Sequence, residues 1–232
     1  ARLKKLGHEV ELDPDALSSH TRFAGDDATR LAAIHRAAES GADVALITRG
    51  GYGLTRILPG IKYKQVAKAI AKGTQFVGLS DFTAFQNALL AKTGAVTWAG
   101  PALGEDFGAE SPDDIMEACF DDMVSGQGEG AGWHFSSACA AANIKRRPGV
   151  WAHDAVLWGG NLAVLVSLLG TPYFPQIKNG VLFVEDIGEH PYRIERMLTQ
   201  LLHAGVLGQQ KAIVFGQFSN YKLTPHDKGF KL

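Results

Sequence analysis

Ser80 lies in the stretch Phe76-Val77-Gly78-Leu79-Ser80-Asp81-Phe82-Thr83-Ala84-Phe85, between a short apolar run and a helical repeat. Phe76 and Val77 read as a buried strand. Phe82, Phe85 and Leu89 recur at i, i+3 and i+7, the apolar face of a helix that Gly94 can stop. Gly78 allows a sharp turn, so Ser80 is expected at the carboxyl end of a strand with its hydroxyl exposed above the next helix. A serine so placed can act as a nucleophile, with helix N-terminal amides stabilising an oxyanion. It can equally serve as a helix cap, and the stretch lacks the final glycine of the common Gly-x-Ser-x-Gly elbow.

Two further places carry chemistry. Ala42–Thr48 reads as a strand buried on both faces, followed at once by Arg49-Gly50-Gly51-Tyr52-Gly53. Glycines packed so densely after a strand let backbone N–H groups approach a ligand closely. A dinucleotide-binding loop is the rival, but Arg56 replaces the third fingerprint glycine, and no phosphate-loop Gly-Lys-Ser/Thr occurs. An oxyanion hole beside a strand-end serine fits better; a tight connection without a ligand stays open. The third place is Glu185, directly after the apolar run Val181–Val184, where open α/β folds put functional carboxylates. A solvated strand end is the alternative.

Arg49-Gly50-Gly51-Tyr52-Gly53, Gly78-Leu79-Ser80-Asp81-Phe82-Thr83, Trp158-Gly159-Gly160-Asn161-Leu162 and Leu182-Phe183-Val184-Glu185-Asp186 occur in this order. Together they resemble the LD-carboxypeptidases, serine peptidases related to the microcin C self-immunity peptidases. The resemblance also takes in Gly170-Thr171-Pro172 and His190-Pro191-Tyr192-Arg193, and so runs along nearly the whole chain. It implies an α/β fold: a Rossmann-like, parallel-sheet N-terminal domain, a smaller β-rich C-terminal domain, and the active site between them. The implied reaction is hydrolysis of the amide between an L-centre and a terminal D-amino acid, typically releasing D-alanine from the murein tetrapeptide during cell-wall recycling. The resemblance assigns Ser80 as nucleophile and Glu185 as the triad carboxylate that orients a histidine and stabilises its imidazolium. Asp186 and Glu189 are weaker substitutes for Glu185. Backbone amides of Gly51 and Asp81 would form the oxyanion hole, and Arg49 with Gly50 would hold the substrate, Arg49 through its carboxylate.

The base departs from the pattern. The family's histidine lies in a Gly-His segment well after the strand expected at Ala212–Phe215, and the sequence ends at Leu232 before one. His8, His20, His35, His134, His153, His190, His203 and His226 all lack that motif, so none is assigned. His190, before Pro191 at a helix start, reads as a cap, His226 as a loop residue, and His35 as a satisfied or surface histidine. The first strand of the fold is missing as well, so both ends are expected to be trimmed. Two other readings remain: a peptide-binding module without a working base, and a nucleotide-binding α/β domain built on Gly50-Gly51-Tyr52-Gly53. A peptidyl-nucleotide antibiotic is the alternative substrate.

The 232 residues, 46% of them hydrophobic, can bury one large or two small cores. A net charge of −1 gives no basic footprint for a nucleic-acid partner. Cys119 and Cys139 make neither a disulfide framework nor a zinc site, and no His/Cys/carboxylate group has metal-ligand spacing, so no metal or other cofactor is expected. No apolar run is long enough to span a bilayer and no signal peptide is visible, which makes a cytoplasmic location and no membrane partner the expectation. The oligomeric state stays open, with a homodimer as the expected self-partner.

Strands expected at Glu9–Leu12, Val44–Thr48, Phe76–Leu79 and Val96–Ala99 alternate with helices at Asp27–Glu39, Gln65–Ala71 and Phe82–Lys92, the pattern of right-handed βαβ units. A helix at Pro112–Val124 follows. The expected division is an N-terminal domain over 1–130, a connection over 131–149 containing Lys145-Arg146-Arg147, and a C-terminal domain over 150–232. The last contains a strand at Val181–Val184, a helix at Pro191–His203 with Ile194, Met197, Leu198, Leu201 and Leu202 on one face, and a strand at Ala212–Phe215.

Overall fold

A computed structural model of the chain describes residues 2–128, 130 and 152–227. The expected connection over 131–149, its basic triplet, Cys139 and His134 lie outside the described residues. After a short helix α1 (Arg2–Lys5) the chain enters helix α2 (Asp27–Glu39), whose start is fixed by Asp26 accepting from the Thr29 amide at 2.8 Å. Strand β1 (Val44–Leu46), helix α3 (Leu54–Ile57), helix α4 (Tyr63–Ala71), strand β2 (Gln75–Gly78), helix α5 (Thr83–Thr93) and strand β3 (Trp98–Ala99) complete the first α/β unit. Its sheet is parallel, with β2 in the middle: Ala45 pairs with Phe76, and Val77 with Trp98. No strand forms at Glu9–Leu12; these residues are mostly exposed and have no pairing partner among the described residues.

A π-helical turn at Leu103–Phe107 and helix α6 (Asp114–Val124) follow. The second sheet is also parallel, ordered β4 (Leu157–Asn161), β5 (Val181–Ile187), β6 (Ala212–Ser219), with helix α7 (Leu162–Ser167) after β4 and helix α8 (Pro191–His203) after β5. Helix α8 has the expected bounds. Pro191 occupies its first turn, Ile194, Met197 and Leu201 are buried, and Gly205 leaves the helix at φ +75°.

Helix α5 joins the two halves. Beyond the expected Phe85 and Leu89, it buries Ala84, Asn87 and Ala88, so two faces are covered. The small alanines let α5 pack against α4, β4 and α7. The resulting apolar core is continuous from Phe76, Phe82 and Phe85 to Leu162, Leu182 and Leu201. Buried Asn87 fits because its Nδ2 donates to Thr83 O at 2.9 Å and across the junction to Gly159 O at 2.8 Å.

Candidate active site

Strand β2 delivers Ser80. Leu79 is fully extended, and Ser80 then takes φ +59°, a left-handed conformation rarely adopted by a residue with a side chain, before opening a 3₁₀ turn over Ser80–Phe82 that leads into α5. The expected strand-to-helix turn is present, but the bend sits at Ser80 rather than at Gly78. Gly78 is required for space instead: a Cβ there would lie 2.5 Å from Phe82 Cδ1 and 2.9 Å from Ile47 Cδ1. Backbone held in a sparse region costs on the order of 1–3 kcal/mol and persists where the surroundings enforce it, commonly at functional sites.

The second glycine turn reaches the same place. The chain beyond β1 is held by Leu103 and Gly104, whose amides donate to Ile47 O at 2.9 Å and Thr48 O at 2.7 Å. Gly50 then passes so close to the serine that a Cβ on it would lie 3.0 Å from Ser80 Cβ and 3.2 Å from Ser80 Oγ. Gly51, at φ +152°, faces open space, as a residue offering its backbone to a ligand would. Arg49 is exposed, its Nη2 3.5 Å from Glu105 Oε1 of the π-helical turn. Asp81 does something its sequence position does not announce. Its buried carboxylate accepts from the Leu54 amide at 2.8 Å and so caps α3 from 27 residues away. Burial pushes the Asp81 carboxyl above the usual range, while the Leu54 amide and the Arg30 charge oppose the rise.

Glu185 lies within β5, which continues past Val184 to Ile187, and pairs in register with Asn161 of β4. On its other side, Gly216 of β6 approaches so closely that a Cβ there would be 3.0 Å from Glu185 Cβ. Burial raises the Glu185 carboxyl, and the neighbouring Asp186 charge adds to the rise. Asp186 is otherwise engaged: its side chain accepts from Asn161 Nδ2 at 3.1 Å, the Ala163 amide at 2.9 Å and the Ile187 amide at 2.8 Å. Glu189 pairs with Arg193.

The strand carrying Glu185 is tied to the serine turn through Asn161. The Ser80–Phe82 turn packs against β4, and the Asn161 amide donates to Thr83 Oγ1 at 3.0 Å. Gly160, at φ +123°, permits this approach, since a Cβ on it would lie 2.6 Å from Thr83 Oγ1; Gly159, at φ +116°, makes room instead for Phe183 O of β5. Sequence reasoning registered Thr83 and Asn161 only inside motifs. The one local signal was Asn161 before an apolar run, an N-cap signature that the structure realises in the Val164 amide bond at 3.1 Å.

Among the described residues, no histidine hydrogen-bonds to Ser80 or Glu185. His190 caps α8, and its Nε2 lies 3.0 Å from Asp227 Oδ2. Together with two bonds from Thr224, the stronger cause, this contact holds Asp227 down to about 2. His35 Nε2 accepts from the Lys62 amide at 3.1 Å, and His226 is exposed. Nor do the described residues include a group of three His, Cys, Asp or Glu placed to hold a metal.

A left-handed serine at a strand end, a glycine turn against its hydroxyl and a half-buried glutamate on a second parallel sheet belong to one α/β fold. Comparisons with known proteins give the family. Residues 1–100 match the LD-carboxypeptidase N-terminal domain, and residues 154–231 the LD-carboxypeptidase C-terminal domain. The chain is 32% identical over 231 residues to the probable murein peptide carboxypeptidase of Bacillus subtilis (strain 168), covering 99% of this chain and 69% of that protein. With the microcin C7 self-immunity protein MccF of Escherichia coli it shares 30% identity over 190 residues, 73% of this chain and 54% of that one. The crystal structure of muramoyltetrapeptide carboxypeptidase from Oxalobacter formigenes superimposes with a TM-score of 0.79 at 38% identity, covering 99% of this chain and 74% of that one. The chain belongs to the LD-carboxypeptidase family. It spans 69%, 64% and 62% of the length of three curated relatives, from Bacillus subtilis, Streptomyces coelicolor and Synechocystis.

Proposed function

We propose that this chain carries the nucleophile and the triad glutamate of a serine carboxypeptidase that removes the terminal D-alanine from murein tetrapeptide in cytoplasmic cell-wall recycling. The observation that carries the reading is the left-handed Ser80 at its strand-to-helix turn, with the Gly50 backbone against its hydroxyl. Ser80 Oγ attacks the carbonyl carbon of the penultimate residue and gives its proton to a histidine oriented by Glu185. The oxyanion that forms is held by the amides of Gly51 and Asp81. The base returns the proton to the leaving nitrogen, D-alanine departs, and water releases the acyl group and restores the serine. No histidine of Ala1–Leu232 is assigned as that base. Arg49, exposed beside Gly50, receives the substrate's terminal carboxylate. The domain division at 131–149 and a homodimer belong to the same proposal.

Incubation of the gene-encoded protein with a fluorophosphonate tests the nucleophile. The adduct is expected on the Ser80 peptide by mass spectrometry; labelling of another residue, with Ser80 unmodified, contradicts the reading. A peptidyl-nucleotide substrate is the second reading, supported by the likeness to the microcin C7 self-immunity protein. A higher kcat/KM for an aminoacyl sulfamoyl adenosine than for murein tetrapeptide would favour it.

A further inference from the structure

We infer that Arg30 and Asp81 are positioning residues that grip the Gly53–Leu54 peptide from both ends and so hold the glycine turn against Ser80. Arg30 Nη1 donates to Gly53 O at 3.1 Å, and the Leu54 amide donates to Asp81 Oδ2 at 2.8 Å. That carbonyl and that amide belong to one peptide unit. Its negative end meets a guanidinium and its positive end a carboxylate, so both charges favour the same orientation of the plane. Rotating the plane would turn the oxygen toward Asp81 and the N–H toward Arg30, opposed at both ends.

Such a grip has a purpose here. Three glycines in the turn leave the backbone free to flip, and Gly53 itself stands at φ +113°. The grip is braced from outside. Arg30 Nη2 pairs with Asp27 Oδ1 at 2.7 Å, and the guanidinium carbon lies 4.3 Å from the centre of the Phe23 ring. The same ring covers Gly53, where a Cβ would lie 2.3 Å from Phe23 Cε1. Asp81 directly follows Ser80, so a bond fixing the Asp81 side chain ties the turn to the nucleophile's own backbone. The catalytic part of this inference rests on the reading of Ser80 as nucleophile; the structural part does not.

The test compares Arg30→Met, Asp81→Ala, Asp81→Asn and the double variant R30M/D81A in the gene-encoded protein, reading Leu54 amide hydrogen exchange and the kinetics of D-alanine release. R30M leaves Asp27 its second partner, Arg56, at 3.1 Å. D81N keeps an oxygen able to accept from Leu54, and so keeps the inference testable should R30M not fold. Exchange at Leu54 is expected to accelerate in R30M and D81A. In both, kcat falls about tenfold or more with KM within about twofold, since displacement of a preorganised group acts on the transition state. D81N recovers most of the loss, and the double variant loses little more than the worse single, because both side chains act on one peptide. Wild-type exchange at Leu54 in both R30M and D81A overturns the inference, as does a double variant whose losses multiply. If Ser80→Ala remains active the nucleophile reading fails instead, and the grip is then decided by exchange alone.

Discussion

The backbone amide of Asn161 donates to Thr83 Oγ1 at 3.0 Å, joining β4 of the second sheet to the first residue of α5. Both residues are buried. Ser80 lies three residues before Thr83, and Glu185 lies beside Asn161 in register. This bond, with that of Asn87 Nδ2 to Gly159 O, links the helix after the serine turn to β4, the strand that pairs with the one carrying Glu185.

Thr83→Val keeps the shape of the side chain but leaves the Asn161 amide buried and unpaired. A loss of about 1–3 kcal/mol in stability is expected, the cost of an unsatisfied buried donor. Urea unfolding of the variant against wild type measures it; equal midpoints would mean that water replaces the hydroxyl.

Gly160→Ala introduces a Cβ 2.6 Å from Thr83 Oγ1 at φ +123°, and Gly159→Ala one 2.1 Å from Phe183 O at φ +116°. Strain and overpacking together are expected to cost on the order of 2–5 kcal/mol. Gly159→Ala should be the worse of the two, because it meets backbone rather than a side chain that can turn. Thermal unfolding of both proteins checks the order.

Much of this was legible in the sequence. The bounds of α2 and α8 follow from capping residues and periodicity, and the serine turn from an apolar run meeting a helical repeat. Two kinds of feature were not. The Gly159-Gly160 pair is small because residues distant in sequence, Phe183 and Thr83, press on it, and such crowding leaves no local trace. The Asp81 carboxylate bonds to Leu54 across 27 residues of sequence, so its spacing carries no periodic signal. Glu9–Leu12 shows the opposite limit: residues suited to a strand by type stay mostly exposed and pair with no strand among the described residues.

Glu185 gives a pH test with a definite sign. Its carboxyl is raised in the folded protein, so between the unfolded value, about 4.3, and the raised one, the folded state holds more proton than the unfolded state. Its contribution to stability is thus present at low pH and lost as pH rises through that window. Glu185→Gln should leave stability little changed below the window and raise it relative to wild type above. In the gene-encoded enzyme the same variant should lose on the order of 10⁴-fold in kcat, as loss of a triad carboxylate does. A variant both more stable and less active identifies a carboxylate retained for function; wild-type turnover would remove Glu185 from the triad.

His190 caps α8 and bonds to Asp227, and neither Ser80 nor Glu185 is among its hydrogen-bond partners. His190→Asn, which retains capping ability, should cost about 1 kcal/mol or less and leave turnover within about threefold. A drop of several thousandfold with the fold intact would make His190 the base instead.

The central claim is that Ser80 is the nucleophile of an L,D-carboxypeptidase. The direct measurement is release of D-alanine from murein tetrapeptide by the gene-encoded enzyme and its Ser80→Ala variant, at matched folding by circular dichroism. Loss of a triad serine costs about 10⁶-fold in turnover, so the variant should release D-alanine at a rate too slow to detect while wild type is active. A Ser80→Ala protein within tenfold of wild type would contradict the account.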